Sequence, residues 1–218
     1  MTEPDSSRHG TLVPIRSLGD RNRPRIAAHL LALDAHDRYL RFGYAASDEQ
    51  VQRYVDQLDF ERDDIFGIFN RRLELLAMAH LAFIPHEPHT PAGVEFGVSV
   101  LHKARSRGYG TLLFERAVRH ARNEGAELMF IHALSENTAM IRIARSGGAT
   151  LERAGSETEA YLRLPPATLD SRVSAMLDEQ VAQADYRLKK QARNFLDFLA
   201  RVQEIRRGAS QARNKSGR

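Results

Sequence analysis

The sequence predicts an α/β domain: a mixed, mostly antiparallel sheet with helices on both sides, followed by a C-terminal helical extension. Three observations point there. Apolar stretches of strand length alternate with amphipathic stretches of helix length from Thr11 to Leu164. Several strand-like stretches fold back across short polar turns, "NRR" and "GSE", which suits hairpins rather than a repeated βαβ unit. Pro165 and Pro166 then end the alternation, and a single long helical period takes over.

Taken in order, residues 1–10 are polar and read as a flexible N-terminus, with the folded domain over 11–166. Thr11–Ile15 is a short strand candidate and Arg23–Leu33 a helix. The aromatic stretch "RYLRFGYAAS" reads as a turn. Ser47 can cap the next helix, with Asp48 and Glu49 in its first turn and Val51, Tyr54, Val55 and Leu58 on one face. Ile65–Phe69 and Leu73–Phe83 read as an antiparallel hairpin, "PHEPHTPAG" as a loop, and Val94–Leu101 as a strand.

Gly108–Asn123 follows as a helix with Leu113, Ala117 and Ala121 on one face. Leu128–Ala133 is a buried-type strand, Thr138–Ser146 a helix stopped by Gly147 and Gly148, and Thr150–Ala154 with Thr158–Leu164 a second hairpin. Over 167–207, Val173, Leu177, Val181, Ala184, Leu188, Ala192, Phe195, Leu199 and Val202 keep 3–4 spacing. A helix that long must pack on the body or on a partner, and a homo-oligomer through it is one expectation. Residues 208–218 read as a disordered basic tail.

Composition narrows the function classes. Of 218 residues, 42% are hydrophobic and 28% charged, enough for a core under a soluble surface. No apolar run approaches a membrane span, the start "MTEPDSSRHG" lacks a signal-peptide core, and cysteine is absent. A cytoplasmic protein with no membrane partner, no thiolate metal site and no thiol nucleophile is expected. Of the 32 Lys/Arg and 28 Asp/Glu, eleven and six lie from Ala167 onward, leaving 21 and 22 in the body. The basic balance belongs to the tail. Its Lys189, Lys190 and Arg193 lack interleaved aromatics or a DNA-binding motif, so no nucleic-acid partner is expected. His86, Glu87 and His89 sit in a proline-rich loop that no helix aligns, so no metal is expected either.

The chemistry concentrates in "VSVLHKARSRGYGTLLFERAV", Val98–Val118. A strand runs into His102, Lys103, Arg105 and Arg107, then Gly108 and Gly110, then a helix start at Thr111. A helix N-terminus has unpaired N–H groups and a positive dipole end; glycine lets a diphosphate approach the backbone, and the arginines add charge. The stretch therefore fits a pyrophosphate cradle, although a solvated turn fits the bare pattern as well. Thr111 and Leu112 after Gly110 exclude a P-loop, and Leu113 stands where a Rossmann fingerprint needs its third glycine.

Arg105-x-x-Gly108-x-Gly110 resembles the acetyl-CoA signature of the GNAT N-acetyltransferase superfamily, [Gln/Arg]-x-x-Gly-x-[Gly/Ala]. The similarity runs from about Val13 to Leu164 and includes "EFGVSV" before the signature. After it, "FIHALSENTAMIRIARSGGA" places Asn137, Met140 and Gly148 in the family's register. "DRYLRF" and "DFERD" further resemble the acetyltransferase domain of bacterial protein-lysine acetyltransferases.

The resemblance implies an acetyl-CoA-dependent N-acetyltransferase with a primary-amine acceptor, a protein lysine or a small molecule. It implies acetyl-CoA contacts from Val98, Ser99, Val100, Arg105, Arg107, Gly108, Tyr109, Gly110, Thr111 and Asn137. It also implies an oxyanion-stabilising backbone N–H near Val98 and Glu95 as general base. A lysine-like amine near pKa 10.4 is neutral about once in 2500 molecules at pH 7, a deficit of about 4–5 kcal/mol that a base must overcome. On the residues alone, Glu95 reads equally as a solvent-facing glutamate or a partner for His80. The family's proton-donating tyrosine falls at Ala144, which leaves solvent or Ser135 to reprotonate the thiolate and keeps a non-catalytic acyl-CoA sensor as a rival.

Overall fold

The computed structural model describes residues 13–85, 91–155, 157–167 and 182. Seven strands form one sheet: β1 (Arg16–Leu18), β2 (Asp64–Phe69), β3 (Leu75–Phe83), β4 (Gly93–Val100), β5 (Leu128–Leu134), β6 (Thr150–Ala154) and β7 (Glu157–Arg163), in the order β1-β2-β3-β4-β5-β7-β6. Every neighbouring pair is antiparallel except β4–β5, which is parallel. The α/β architecture and the two hairpins match the sequence expectation.

Helices α1 (Arg23–Leu31), α2 (Ala35–Phe42) and α3 (Asp48–Asp56) cover one face, and α4 (Tyr109–Asn123) and α5 (Thr138–Ser146) the other. Burial of Ile65 through Phe69 and Leu75 through Ala79 follows from this double cover. One core packs α4 and α5 on Phe66, Leu81, Val94 and Phe96; the other packs α1 and α3 on Ile65, Leu75 and Met78. Ser47 caps α3 as expected, accepting from the Gln50 N–H while the Gln50 side chain returns to the Ser47 N–H.

Two elements differ from expectation. "RYLRF" is the body of α2, not a turn. Asp34 caps it, accepting from the Asp37 N–H at 2.7 Å, and Gly43 stops it at φ 79°. Asp37 alone in this helix is buried, so no apolar period announced it. The first described strand is Arg16–Leu18, and Val13–Ile15 of the expected Thr11–Ile15 is not strand. Thr11 and Leu12 lie outside the described residues, and Arg16, turned inward with Leu18, is a residue that no hydropathy pattern buries. The N-terminal 1–10 and the His86–His89 loop lie outside the described residues. So do the tail's basic cluster and, apart from Ala167 and the buried helical residue Ala182, the extension over 167–207.

Candidate active site

β4 pairs with β5 only at Gly93–Leu128, Val94–Met129 and Glu95–Phe130. Beyond Glu95 the two strands part while β4 continues along β3 to Val100. The opening is a cleft of about 360 Å³ lined by Arg41, Phe42, Glu95, Gly97, Val98, His132, Asn137, Met140 and Glu159 among others. Strand alternation divides the lining. Val94, Phe96, Val98 and Val100 turn toward the α4–α5 core, whereas Glu95, Gly97 and Ser99 turn toward α1–α3.

Beyond Val100 the chain makes one turn of 3-10 helix over His102–Ala104 and passes through Ser106 at φ 59° to Gly108 at φ 74°, where α4 starts. No side chain caps α4, so the N–H groups of its first turn stand open. Nothing lies within 4 Å of the position a Cβ would take at Gly108; its glycine is needed for the left-handed backbone. At Gly110 a Cβ would meet the Ile143 side chain at 2.9 Å, so glycine there brings α4 and α5 together. An uncapped N-terminus with free space above it, beside exposed Arg105 and Arg107, fits a diphosphate. Arg105 is held by Asp37 of α2, a buried carboxylate.

Ser99 has a different side-chain partner. His29 donates from Nδ1 to the Leu75 carbonyl at 2.9 Å, so its Nε2 accepts from the Ser99 hydroxyl at 2.8 Å. Burial pushes His29 down to about 4, outweighing the Leu75 bond. Ser99 thus has its backbone, not its hydroxyl, to offer on the strand.

Glu95 is exposed at the cleft and has no ion-pair partner among the described residues. His80 belongs to a separate chain of groups. It accepts at Nδ1 from the Tyr54 hydroxyl at 2.7 Å and donates from Nε2 to Asp63 at 3.1 Å. Burial, and then the nearby Arg41 charge, push His80 below its ordinary value.

Asn137 lines the cleft but spends its side-chain oxygen on capping α5, accepting from the Met140 N–H at 3.1 Å. Ala144 is buried in the α4–α5 core. Ser135 is engaged with Thr158 at 3.0 Å and the Gly155 carbonyl at 3.4 Å. Among the described residues no cluster of three metal-ligating side chains occurs, and no helix is long and apolar enough to cross a membrane.

The structure adds Arg41, His132 and Glu159 to the site. Glu159 stands opposite His132 across β5–β7, with 3.8 Å between its Oε1 and the His132 Nδ1. Arg41 lay in the quoted "DRYLRF", but only the helix over that stretch brings it to the cleft.

The cleft thus opens where two parallel strands part, with the Glu95 carboxylate on its wall, and β4 runs on from it to the open N-terminus of α4. The chain belongs to the acetyltransferase (GNAT) family, whose model matches residues 31–148. Among solved structures it is similar to the GNAT domain of the S. lividans protein PAT, with 21% identity, TM-score 0.58, and coverage of 69% of this chain and 89% of that one. It is similar to an N-acetyltransferase from Staphylococcus aureus Mu50 (13%, TM-score 0.55, 71% and 100%). It also resembles RimL, a ribosomal L7/L12 alpha-N-protein acetyltransferase solved with coenzyme A (16%, TM-score 0.54, 71% and 96%). At these identities the likenesses show the fold. No curated protein matches the chain.

Proposed function

We propose that this protein transfers the acetyl group of acetyl-CoA to a primary amine, with a protein lysine as the first acceptor class. The observation that carries the reading is the parting of β4 from β5 immediately after Glu95, which sets a free carboxylate beside an open strand edge. When bound, acetyl-CoA supplies an activated acyl group and a thiol leaving group. The first-turn N–H groups of α4, with Arg107 and the Gly108–Gly110 backbone, hold its diphosphate. Backbone groups of Val98, Ser99 and Val100 pair with its pantetheine arm.

Glu95 takes the proton from the acceptor ammonium, directly or through one water. The freed amine forms the C–N bond as the C–S bond breaks, and the second proton its nitrogen sheds to become an amide passes to solvent. A backbone N–H near Val98 opposes the charge that develops on the carbonyl oxygen. The thiolate takes a proton from solvent in the open cleft, since Ser135 is engaged elsewhere and Ala144 carries no donor. A thiol of pKa about 8.5 leaves readily near neutral pH, so this loss is tolerable. The "DRYLRF" and "DFERD" stretches favour a protein lysine as acceptor.

Calorimetric titration with acetyl-CoA, comparing the native chain with Gly108→Glu and Arg107→Glu, tests the reading. Micromolar binding that both substitutions weaken supports it. A folded native chain that binds no acetyl-CoA, with unchanged melts across the three proteins, sinks it.

A further inference from the structure

A site that receives an amine should not present a bare cation to it, yet this one does. Arg41 lines the cleft beside Glu95. Its guanidinium lies against Gly97, so close that a Cβ there would stand 2.9 Å from Nη2 and 3.1 Å from Nη1. It stacks on Tyr54 and Phe42 at 5.5 and 5.3 Å, and donates from Nη2 to the Tyr54 hydroxyl at 2.9 Å. That hydroxyl is fixed in turn by His80, and His80 by Asp63.

The guanidinium is therefore anchored rather than floating, and only a glycine at 97 admits it. Its neighbours on α2 are neutralised: Arg38 pairs with Asp48, and Asp37 receives Arg105. Arg41 has no carboxylate partner among the described residues, and its charge adds to burial, the larger cause, in holding His29 and His80 down. It faces Gly97 in the cleft lined by Glu95, and Arg105, Arg107 and Gly108 do not line that cleft, so the carrier diphosphate is not its counter-ion.

Resting on the acetyl-transfer reading, we propose that Arg41 is an anion-recognition residue of the acceptor site: the acceptor bears a carboxylate close to the amine that is acetylated. Its ammonium approaches Glu95 and its carboxylate takes the guanidinium edge that the Tyr54 bond leaves open, the second Nη2 hydrogen pairing with that of Nε or Nη1 as the planar fork that suits a carboxylate. Glu95 and Gly97 lie two residues apart on one face, roughly 6–7 Å along the strand, which sets the span between the two charges. A lysine flanked by an acidic residue meets this requirement, and so does a free ω-amino acid.

Acceptor pairs matched except for charge separate these sources: a lysine peptide flanked by Glu or by Gln, and 5-aminopentanoate or pentylamine. Thiol release from acetyl-CoA is followed for the native chain, Arg41→Gln and Arg41→Lys. The native protein prefers the carboxylated member of one pair by about 10- to 100-fold in kcat/KM, the scale of a hydrogen bond to a charged group. Arg41→Gln erases the preference, bringing the two members of the pair to the same kcat/KM, and Arg41→Lys restores part of it. Equal use of both members by the native chain overturns the proposal, as does a preference that survives Arg41→Gln. Should no acceptor turn over, calorimetry of the N-acetylated pairs on the CoA-loaded chain decides. A carboxylate preference lost in Arg41→Gln keeps Arg41 as the carboxylate-binding residue of the cleft and removes acetyl transfer to these amines, whereas no preference overturns this proposal.

Discussion

The two faces of β4 serve one cleft with opposite chemistry. Toward α4 and α5 the strand presents Val94, Phe96, Val98 and Val100, all apolar, and the polar contribution comes from backbone and from the open end of α4. Toward α1–α3 it presents Glu95, Gly97 and Ser99, against Arg41, Tyr54, His80 and His29. The first face suits a carrier with a repetitive, backbone-paired arm. The second suits discrimination, because it acts through side chains whose charges are specific. A carrier face can tolerate exchange of one valine for another; an acceptor face cannot tolerate exchange of its charges.

The sharpest break of this division is Glu95→Gln. Loss of a general base costs about 10²- to 10⁴-fold in kcat. The substitution leaves the α4–α5 face intact, so acetyl-CoA affinity by calorimetry should be unchanged. A variant that binds acetyl-CoA more weakly and turns over normally would mean that Glu95 serves the carrier, and the two faces would not be separate.

A smaller effect comes from the buried end of the acceptor face. His29 is held at about 4 in the fold against 6.5 when free, chiefly by burial. Between those values the unfolded chain binds a proton that the folded chain refuses. Stability is therefore complete above pH 6.5 and falls as pH drops toward 4, by about 3 kcal/mol at about 1.4 kcal/mol per pKa unit. His80, pushed down mainly by burial, adds a loss of the same sign. Urea unfolding between pH 7.5 and 4.5 should show the decline, with a shallower slope in His29→Gln. Equal slopes in both proteins would place the pH sensitivity elsewhere.

Legibility in the sequence followed the same division. The strand, the basic turn and α4 were readable because glycine at φ 74° and an apolar period on one helix face leave marks in the residue types themselves. The acceptor face was not. Arg41 acts through a helix whose only buried residue is Asp37, and His29 and Ser99 meet across 70 positions of sequence. Arg16 turned inward for β1 is the same kind of failure, a polar residue whose burial depends on partners far along the chain. Local chemistry can be read from neighbours; polar networks between distant residues require the fold.

Asn137 is where the division can be sharpened with the smallest effect. The family resemblance makes it a carrier contact, yet its side-chain oxygen already accepts from the Met140 N–H as the cap of α5. If capping is its whole role, Asn137→Ala loses about 1 kcal/mol of stability. Asn137→Asp, an equally good cap, loses almost none, and acetyl-CoA affinity stays level in both. If the free amide N–H₂ also holds the carrier, Asp removes that donor and adds a negative charge at the cleft. Affinity then falls in Asn137→Asp while its melting temperature does not. Comparing the thermal melt and the calorimetric Kd of these two variants separates helix end from binding group. The answer bears on α5 as a whole: a helix fixed only by its cap and its packing on α4 is scaffold, whereas one whose cap touches the carrier couples binding to the order of the cleft wall.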